Sequence, residues 1–193
     1  MDKTYRNIRS LTIAALLTAL IWLLTFTPLG FTIPFFGISM TFVHIPMIVG
    51  ILAEGLGVGT LLGGMFGLAS LTKNLLQPTS IYSPMLQNPL VSVLPRLLIA
   101  PISYCILLML RKLFPGKRKL QYTITAICAA LTNTILTLSA FSLSYALNSG
   151  VINEKISIAS IWALAANCPI EAFSAAVVGV AVMTALDKVY KKA

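Results

Sequence analysis

The sequence predicts an all-α integral membrane protein, a six-transmembrane-helix bundle whose N- and C-termini are cytoplasmic. The chain of 193 residues is 58% hydrophobic and only 10% charged, with a mean hydropathy of +0.91, whereas a soluble domain needs about 25% charged residues. The apolar residues fall into six segments, and helices are the default spanning structure because lipid offers backbone groups no other partners. The length predicts one domain, residues 1–193.

The six predicted spans cover roughly residues 10–26, 40–53, 56–71, 91–110, 122–147 and 158–186. A span needs about 20 apolar residues, so the second and third are short. This predicts either tilted helices or a tight hairpin that is hinged at Gly55 and Gly57. The basic N-terminus before the first segment resembles a signal peptide, but no small-residue cleavage site follows it, and we interpret the segment as a retained span.

The distribution of Lys and Arg supports an even number of spans. Most of the 14 basic residues fall into three groups, one before span one, one between spans four and five, and one after span six. The groups comprise Lys3, Arg6 and Arg9; Arg111, Lys112, Lys117, Arg118 and Lys119; and Lys188, Lys191 and Lys192. Six spans put all three groups on one side, which the positive-inside rule makes cytoplasmic. Orientation and contact with anionic lipid then explain the net charge of +9, and nucleic-acid binding is not predicted.

The residue types needed for catalysis or for metal binding are scarce. The single histidine, His44, precludes a His-rich zinc site, and we interpret it as structural. The three cysteines lie in apolar segments without a CxxC pair, and no P-loop or GxSxG motif occurs. We therefore predict no enzyme activity, no metal and no cofactor bound by this chain.

Polar side chains inside the spans are the best candidates for a site, because each is costly in lipid. Arg96 lies a little inside the outer end of span four, and Asn133 lies near the middle of span five. Asn167 and Glu171 lie one helical turn apart in span six. These residues would meet in one outward-facing cavity, where Arg96 offers a forked donor for a carboxylate. The alternative is a purely structural pair of Arg96 with Glu171.

Two outer loops flank this predicted cavity. Residues 27–37 are apolar and rich in Pro and Gly, and residues 72–89 carry Asn74 and Tyr82, which we add to the substrate-binding candidates. Such loops fit either lids over the mouth of the bundle or passive connectors.

Small residues spaced four apart occur on two of the spans and allow close helix approach. Ala15 and Ala19 share a face of span one, which indicates either internal packing or an external partner. Gly59, Gly63 and Gly67 form a stripe on span three, for which internal packing is favoured.

These features resemble the substrate-binding S components of energy-coupling factor (ECF) vitamin transporters. The resemblance rests on the basic N-terminus leading into Ala15-x-x-x-Ala19, on residues 40–50 with the glycines of residues 55–71, on Leu94-Pro95-Arg96-Leu97-Leu98-Ile99, and on Asn167-Cys168-Pro169-Ile170-Glu171-Ala172. It covers nearly the whole chain. One departure is Gly55-Leu56, where family members often carry a Gly-Pro pair.

The resemblance implies a subunit that binds a water-soluble vitamin at the outer face of a prokaryotic plasma membrane and releases it inward. Its implied partners are a shared transmembrane coupling subunit, docked on Ala15 and Ala19, and two cytoplasmic ATPase subunits that use the ATP. The segments are most similar to pantothenate-type members, whose anionic substrate suits Arg96. The alternatives are riboflavin, folate, cobalamin or a pyridoxine-like vitamin, or a stand-alone small-solute permease.

Overall fold

The computed structural model describes residues 3–27, 42–78, 82–147 and 157–190, and in these ranges the protein is helical without strands. Most of the outer loop at residues 27–37 lies outside the described residues. The helices are α1 (Lys3–Phe26), α2 (His44–Glu54), α3 (Leu56–Leu76), α4 (Ser83–Leu86), α5 (Pro89–Ser92), α6 (Leu94–Leu113), α7 (Arg118–Leu147), α8 (Ile158–Ala163) and α9 (Cys168–Tyr190). A 3-10 turn, Leu164–Asn167, joins α8 to α9.

Five stretches of the described chain are long and apolar enough to cross a membrane: Asn7–Phe26, Leu56–Leu76, Pro89–Leu113, Arg118–Leu147 and Ile158–Lys188. The all-helical membrane class is therefore confirmed. The remaining apolar helix, α2, has only 11 residues. The count of six spans and the cytoplasmic side of the termini stay predictions.

The hairpin between α2 and α3 differs in detail from the expectation. Only Gly55 acts as the hinge, with a φ of 84° that favours glycine, whereas Gly57 lies inside α3. The third span is not short, because α3 has 21 residues and continues past Leu71 through two polar side chains, Lys73 and Asn74. Hydropathy alone places the end of this helix too early, since a long amphipathic side chain at a helix end can reach the interface.

The five long helices pack side by side in the order α1, α3, α6, α7 and α9, and α2 lies in contact with all five. Nine consecutive residues of α2, His44–Leu52, are buried. A helix that is apolar on every face belongs either in a protein core or in lipid, and the burial of these residues places α2 in the core. The short helix is therefore the axial core of the fold rather than a peripheral span.

The length of α2 determines which half of the bundle it fills. At 1.5 Å per residue its 11 residues rise about 16 Å, roughly half of a 30 Å hydrocarbon core. Oε1 of its C-terminal residue Glu54 lies 3.7 Å from Nη2 of Arg9, which is near the N-terminal end of α1. The helix thus fills the axis at the end predicted to be cytoplasmic.

The glycine stripe of α3 permits close contact with α6. A Cβ built on Gly63 would lie 2.5 Å from the carbonyl oxygen of Arg96, and one on Gly67 would lie 2.7 Å from the Cα of Val93. Both contacts are with backbone, which cannot move aside as a flexible side chain can. The prediction of internal packing for this stripe is confirmed, and the stripe fixes the start of α6.

Substitutions at two glycines of α3 are expected to have opposite effects on stability. Gly67→Ala should lower the free energy of unfolding by about 1–3 kcal/mol because its methyl group overpacks the contact with α6. Gly57→Ala should be neutral or stabilising by up to about 1 kcal/mol, since alanine favours helix and a Cβ there meets nothing within 4 Å. Unfolding of the detergent-solubilised variants measures both, and equal shifts would contradict the packing described.

Candidate functional site

Buried apolar side chains form two separate clusters along the bundle. The main cluster fills the ring around α2 and includes Met47, Phe66 and Ile99. The outer cluster joins the short helices α4 and α5 to the C-terminal part of α7 and to α8, through Met85, Val91, Leu138, Phe141 and Ile161. The outer cluster lies at the end of the bundle that α2 does not reach.

The candidate residues lie where the chain passes between these clusters. On α7, Ala130 belongs to the main cluster and Leu138 to the outer one, and Asn133 lies between them in sequence. In the segment from α5 into α6, Arg96 likewise lies in sequence between Val91 of the outer cluster and Ile99 of the main cluster.

The segment from the 3-10 turn into α9 repeats this arrangement. Leu164 packs on the outer cluster and Ala172 belongs to the main cluster, with Asn167 and Glu171 between them. Glu171 is buried in the first turn of α9. We call the set Arg96, Asn133, Asn167 and Glu171 the polar layer, since each member lies in sequence between a residue of the outer cluster and a residue of the main cluster.

Arg96 contacts both clusters. Its Nη1 donates a hydrogen bond to the carbonyl oxygen of Val91 at 2.9 Å, and its guanidinium carbon lies 5.6 Å from the ring centroid of Phe66. That second distance is within the range of a cation–π contact. The side chain is only 6% exposed, and its Nε is buried without a hydrogen-bond partner. The guanidinium is therefore held in place while part of its donor capacity is unused.

The structure does not show the pair between Arg96 and Glu171 that the sequence allowed. Ion pairs within the described residues join Arg9 to Glu54 and Arg118 to Asp187, and no described carboxylate lies within 4.0 Å of the Arg96 guanidinium nitrogens. The physical reason is helix order. α7 packs between α6 and α9, and the described parts of those two helices do not contact each other.

Three polar atoms of α3 and α7 are also buried without a hydrogen-bond partner. They are Oδ1 of Asn133, Oγ1 of Thr137 one turn further along α7, and Oγ of Ser70 on α3. Burying such an atom unpaired costs about 1–3 kcal/mol. The three atoms belong to α3 and α7, which both pack against α6 with its buried Arg96, and a bound polar molecule could satisfy them.

Sequence reasoning did not single out Ser70 or Thr137, and no sequence signal would have. Hydroxyls in spanning helices usually donate to the carbonyl four residues back, as Thr132 does to Cys128 at 2.7 Å and Thr134 does to Ala130 at 3.2 Å. Only the structure distinguishes the hydroxyls that do so from those that do not.

Asn74 and Tyr82 make structural contacts at the outer end. Nδ2 of Asn74 donates to the carbonyl oxygen of Ser70 at 2.8 Å, and the Asn74 carbonyl accepts from Nε2 of Gln87 at 3.1 Å. The Tyr82 hydroxyl donates to the carbonyl oxygen of Ser160 at 3.1 Å, and its ring stacks on Phe141 with centroids 6.0 Å apart. These contacts hold the segment around α4 against α7 and α8.

Ala15 and Ala19 are both exposed on α1. This helix packs on α2 and α3 through a different face, which buries Ala14, Ile21 and Thr25. Internal packing, one of the two expectations for the pair, is thus not what the structure shows. The face is available to lipid or to a partner.

Long apolar helices packed around a short axial helix define a multi-pass membrane protein. The chain belongs to the family of ECF transporter substrate-specific components, whose family model matches residues 9–186. Members are substrate-binding subunits and not enzymes, and they associate with a membrane coupling subunit and ATPases. No curated protein matches the chain.

Proposed function

We propose that this chain captures pantothenate from outside a prokaryotic cell and releases it inward when partner ATPases hydrolyse ATP. The observation that carries the proposal is the Arg96 guanidinium, which is buried, contacts both clusters and has no carboxylate partner among the described residues. A buried charge is costly unless it is paired. A ligand carboxylate would supply the missing partner through charge-assisted hydrogen bonds.

Asn133 of the polar layer and two further buried hydroxyls suit the rest of this ligand. Pantothenate carries one carboxylate, one amide and two hydroxyls. The unpaired Oδ1 of Asn133 accepts a hydrogen bond, and the hydroxyls of Thr137 and Ser70 both donate and accept. In the proposal Asn167 and Glu171 face the ligand from the α9 side, and Asn74 and Tyr82 hold the outer end closed over it.

In the proposal, α1 is the helix through which this chain is coupled to ATP hydrolysis by its partners. The chain carries no ATP-binding motif, so concentrative transport needs partner subunits. The exposed pair Ala15 and Ala19 lets another helix approach the α1 backbone closely. We assign this face to the shared transmembrane coupling subunit, which two cytoplasmic ATPases energise.

Calorimetric titration of the purified chain tests the substrate. Pantothenate should saturate one site per chain, while riboflavin, pyridoxine, cobalamin and folate should neither bind nor compete. Saturation by one of those vitamins in place of pantothenate would reject the pantothenate assignment and leave the family assignment intact.

Vesicles that contain this chain alone should show no concentrative uptake of the bound vitamin. Uptake should appear when the coupling subunit and the ATPases are added together with ATP. Concentrative uptake by the chain alone would identify a stand-alone permease instead.

A further inference from the structure

A groove lies at the end of the bundle opposite the polar layer. It is open, has a volume of about 610 Å³, and is formed by the connection from α6 to α7 together with the last turns of α9. That volume falls within the roughly 300–1,000 Å³ typical of small-molecule sites. The lining residues are Gly116, Lys117, Arg118, Lys119, Leu120, Thr184 and Asp187.

The groove has an excess of positive charge. Three of its lining residues, Lys117, Arg118 and Lys119, are cationic, and Asp187 is its one carboxylate. That carboxylate is already bound, since it accepts from Nη1 of Arg118 at 3.4 Å and from the Tyr122 hydroxyl at 3.2 Å. The two lysines therefore have no acidic partner in the lining.

The start of α7 adds to this positive potential. The 30-residue helix begins at Arg118, and the residues just before it, Gly116 and Lys117, have no side-chain oxygen to accept from its first N–H groups. The positive end of the helix dipole thus faces the same groove as the lysines. Each of these features favours an anion.

The position of the groove indicates which anion. It lies at the end of α6, α7 and α9 that the positive-inside rule predicts to be cytoplasmic, where lipid headgroups would surround it. Leu120 lies in its lining and is 39% exposed, and Leu113 at the end of α6 is 71% exposed. A ligand with an anionic head and apolar chains would contact the basic residues and the exposed leucines at once. A free anion would contact only the basic residues.

We propose that this groove binds the phosphate headgroup of an anionic phospholipid, with Lys117 and Lys119 contacting the phosphate and the leucines contacting the acyl chains. Basic pockets at the ends of spanning helices are known to take such headgroups. The groove is separate from the vitamin site, so the inference does not depend on the proposed substrate.

A single tryptophan in the groove provides the test. Leu120→Trp is made in a chain whose two tryptophans, Trp22 and Trp162, are replaced by phenylalanine. The protein is reconstituted in phosphatidylcholine vesicles in which a minor, equal fraction of lipid is brominated phosphatidylglycerol or brominated phosphatidylcholine. Phosphatidylglycerol should occupy the groove about 25-fold more than its share of the bilayer, because each lysine contributes about a fivefold preference. Equal quenching by the two brominated lipids would overturn the proposal.

Two matched pairs of substitutions separate a site from general surface charge. Lys117→Ala with Lys119→Ala should abolish the preference for phosphatidylglycerol. Arg111→Ala with Lys112→Ala removes the same charge from the exposed end of α6 and should retain the preference. An equal loss of the preference for phosphatidylglycerol in both double variants would show a diffuse basic surface and reject the proposed groove site.

Free phosphate is the remaining alternative ligand. Inorganic phosphate added at constant ionic strength should leave quenching by brominated phosphatidylglycerol unchanged, because it cannot use the leucine contacts. Displacement of the lipid by inorganic phosphate would assign the groove to a soluble anion instead.

Discussion

Replacing Arg96 by alanine is expected to weaken pantothenate binding by about 2–5 kcal/mol, which corresponds to roughly a 30- to 5,000-fold rise in Kd. The loss is large because a ligand carboxylate would be left buried without its cation, while the cost of burying it would remain. Calorimetric titration of the detergent-solubilised protein measures the change. Binding within error of the parent protein would remove Arg96 from the site.

A neutral analogue separates the charge of Arg96 from its structural contacts with Val91 and Phe66. Pantothenol carries a neutral hydroxymethyl group in place of the carboxylate of pantothenate. The parent protein should prefer pantothenate strongly, and in Arg96→Ala this preference should disappear. If the role of Arg96 were purely structural, its replacement by alanine would weaken the binding of both ligands equally. Arg111→Ala, an exposed arginine on the same helix, should leave the preference unchanged.

Placing tryptophan at Ala15 or Ala19 is expected to reduce vitamin uptake to background while leaving vitamin binding intact. The two alanines are exposed on α1 and make room for a partner helix, and an indole there would keep the backbones apart. The side chains buried by α1 are on its other face, so the fold should tolerate the change. Uptake in vesicles with all partner subunits and titration of the isolated chain measure the two quantities.

The chain offers a matched control for this substitution on another helix. Ala181 and Ala185 are also spaced four apart and exposed, on α9. Tryptophan at these positions adds the same bulk to a lipid-facing surface and should leave uptake near its parent level. Equal loss of uptake on α1 and α9 would indicate that bulk on any face is harmful. Loss of binding at Ala15 or Ala19 would indicate misfolding.

The class of the fold could be predicted because transfer into lipid is a property of each segment by itself. Hydropathy located every long helix, and it erred mainly where polar residues continue a helix, as Lys73 and Asn74 do at the end of α3. The same cost of transfer singled out Arg96, Asn133 and Glu171, all of which are buried. Each of these predictions uses only the chemistry of one residue and its sequence neighbours.

The partners of those residues could not be predicted in the same way. The sequence allowed Arg96 to pair with Glu171, yet Arg96 contacts Val91 and Phe66. Which side chains meet depends on the order of helices around the ring, and the hydropathy of a helix is the same wherever it stands in that ring. The sequence likewise did not reveal that Ser70 and Thr137 are buried without partners.

By itself the sequence determined that this protein lies in the membrane as a bundle of helices and which costly side chains it keeps there. Only the tertiary structure decided that α2 is the axial core, that the polar layer separates two apolar clusters, and that Ala15 and Ala19 face outward. The physical reason is that the free energy of transfer into lipid depends on each segment of the chain by itself, whereas packing between helices depends on residues far apart in sequence.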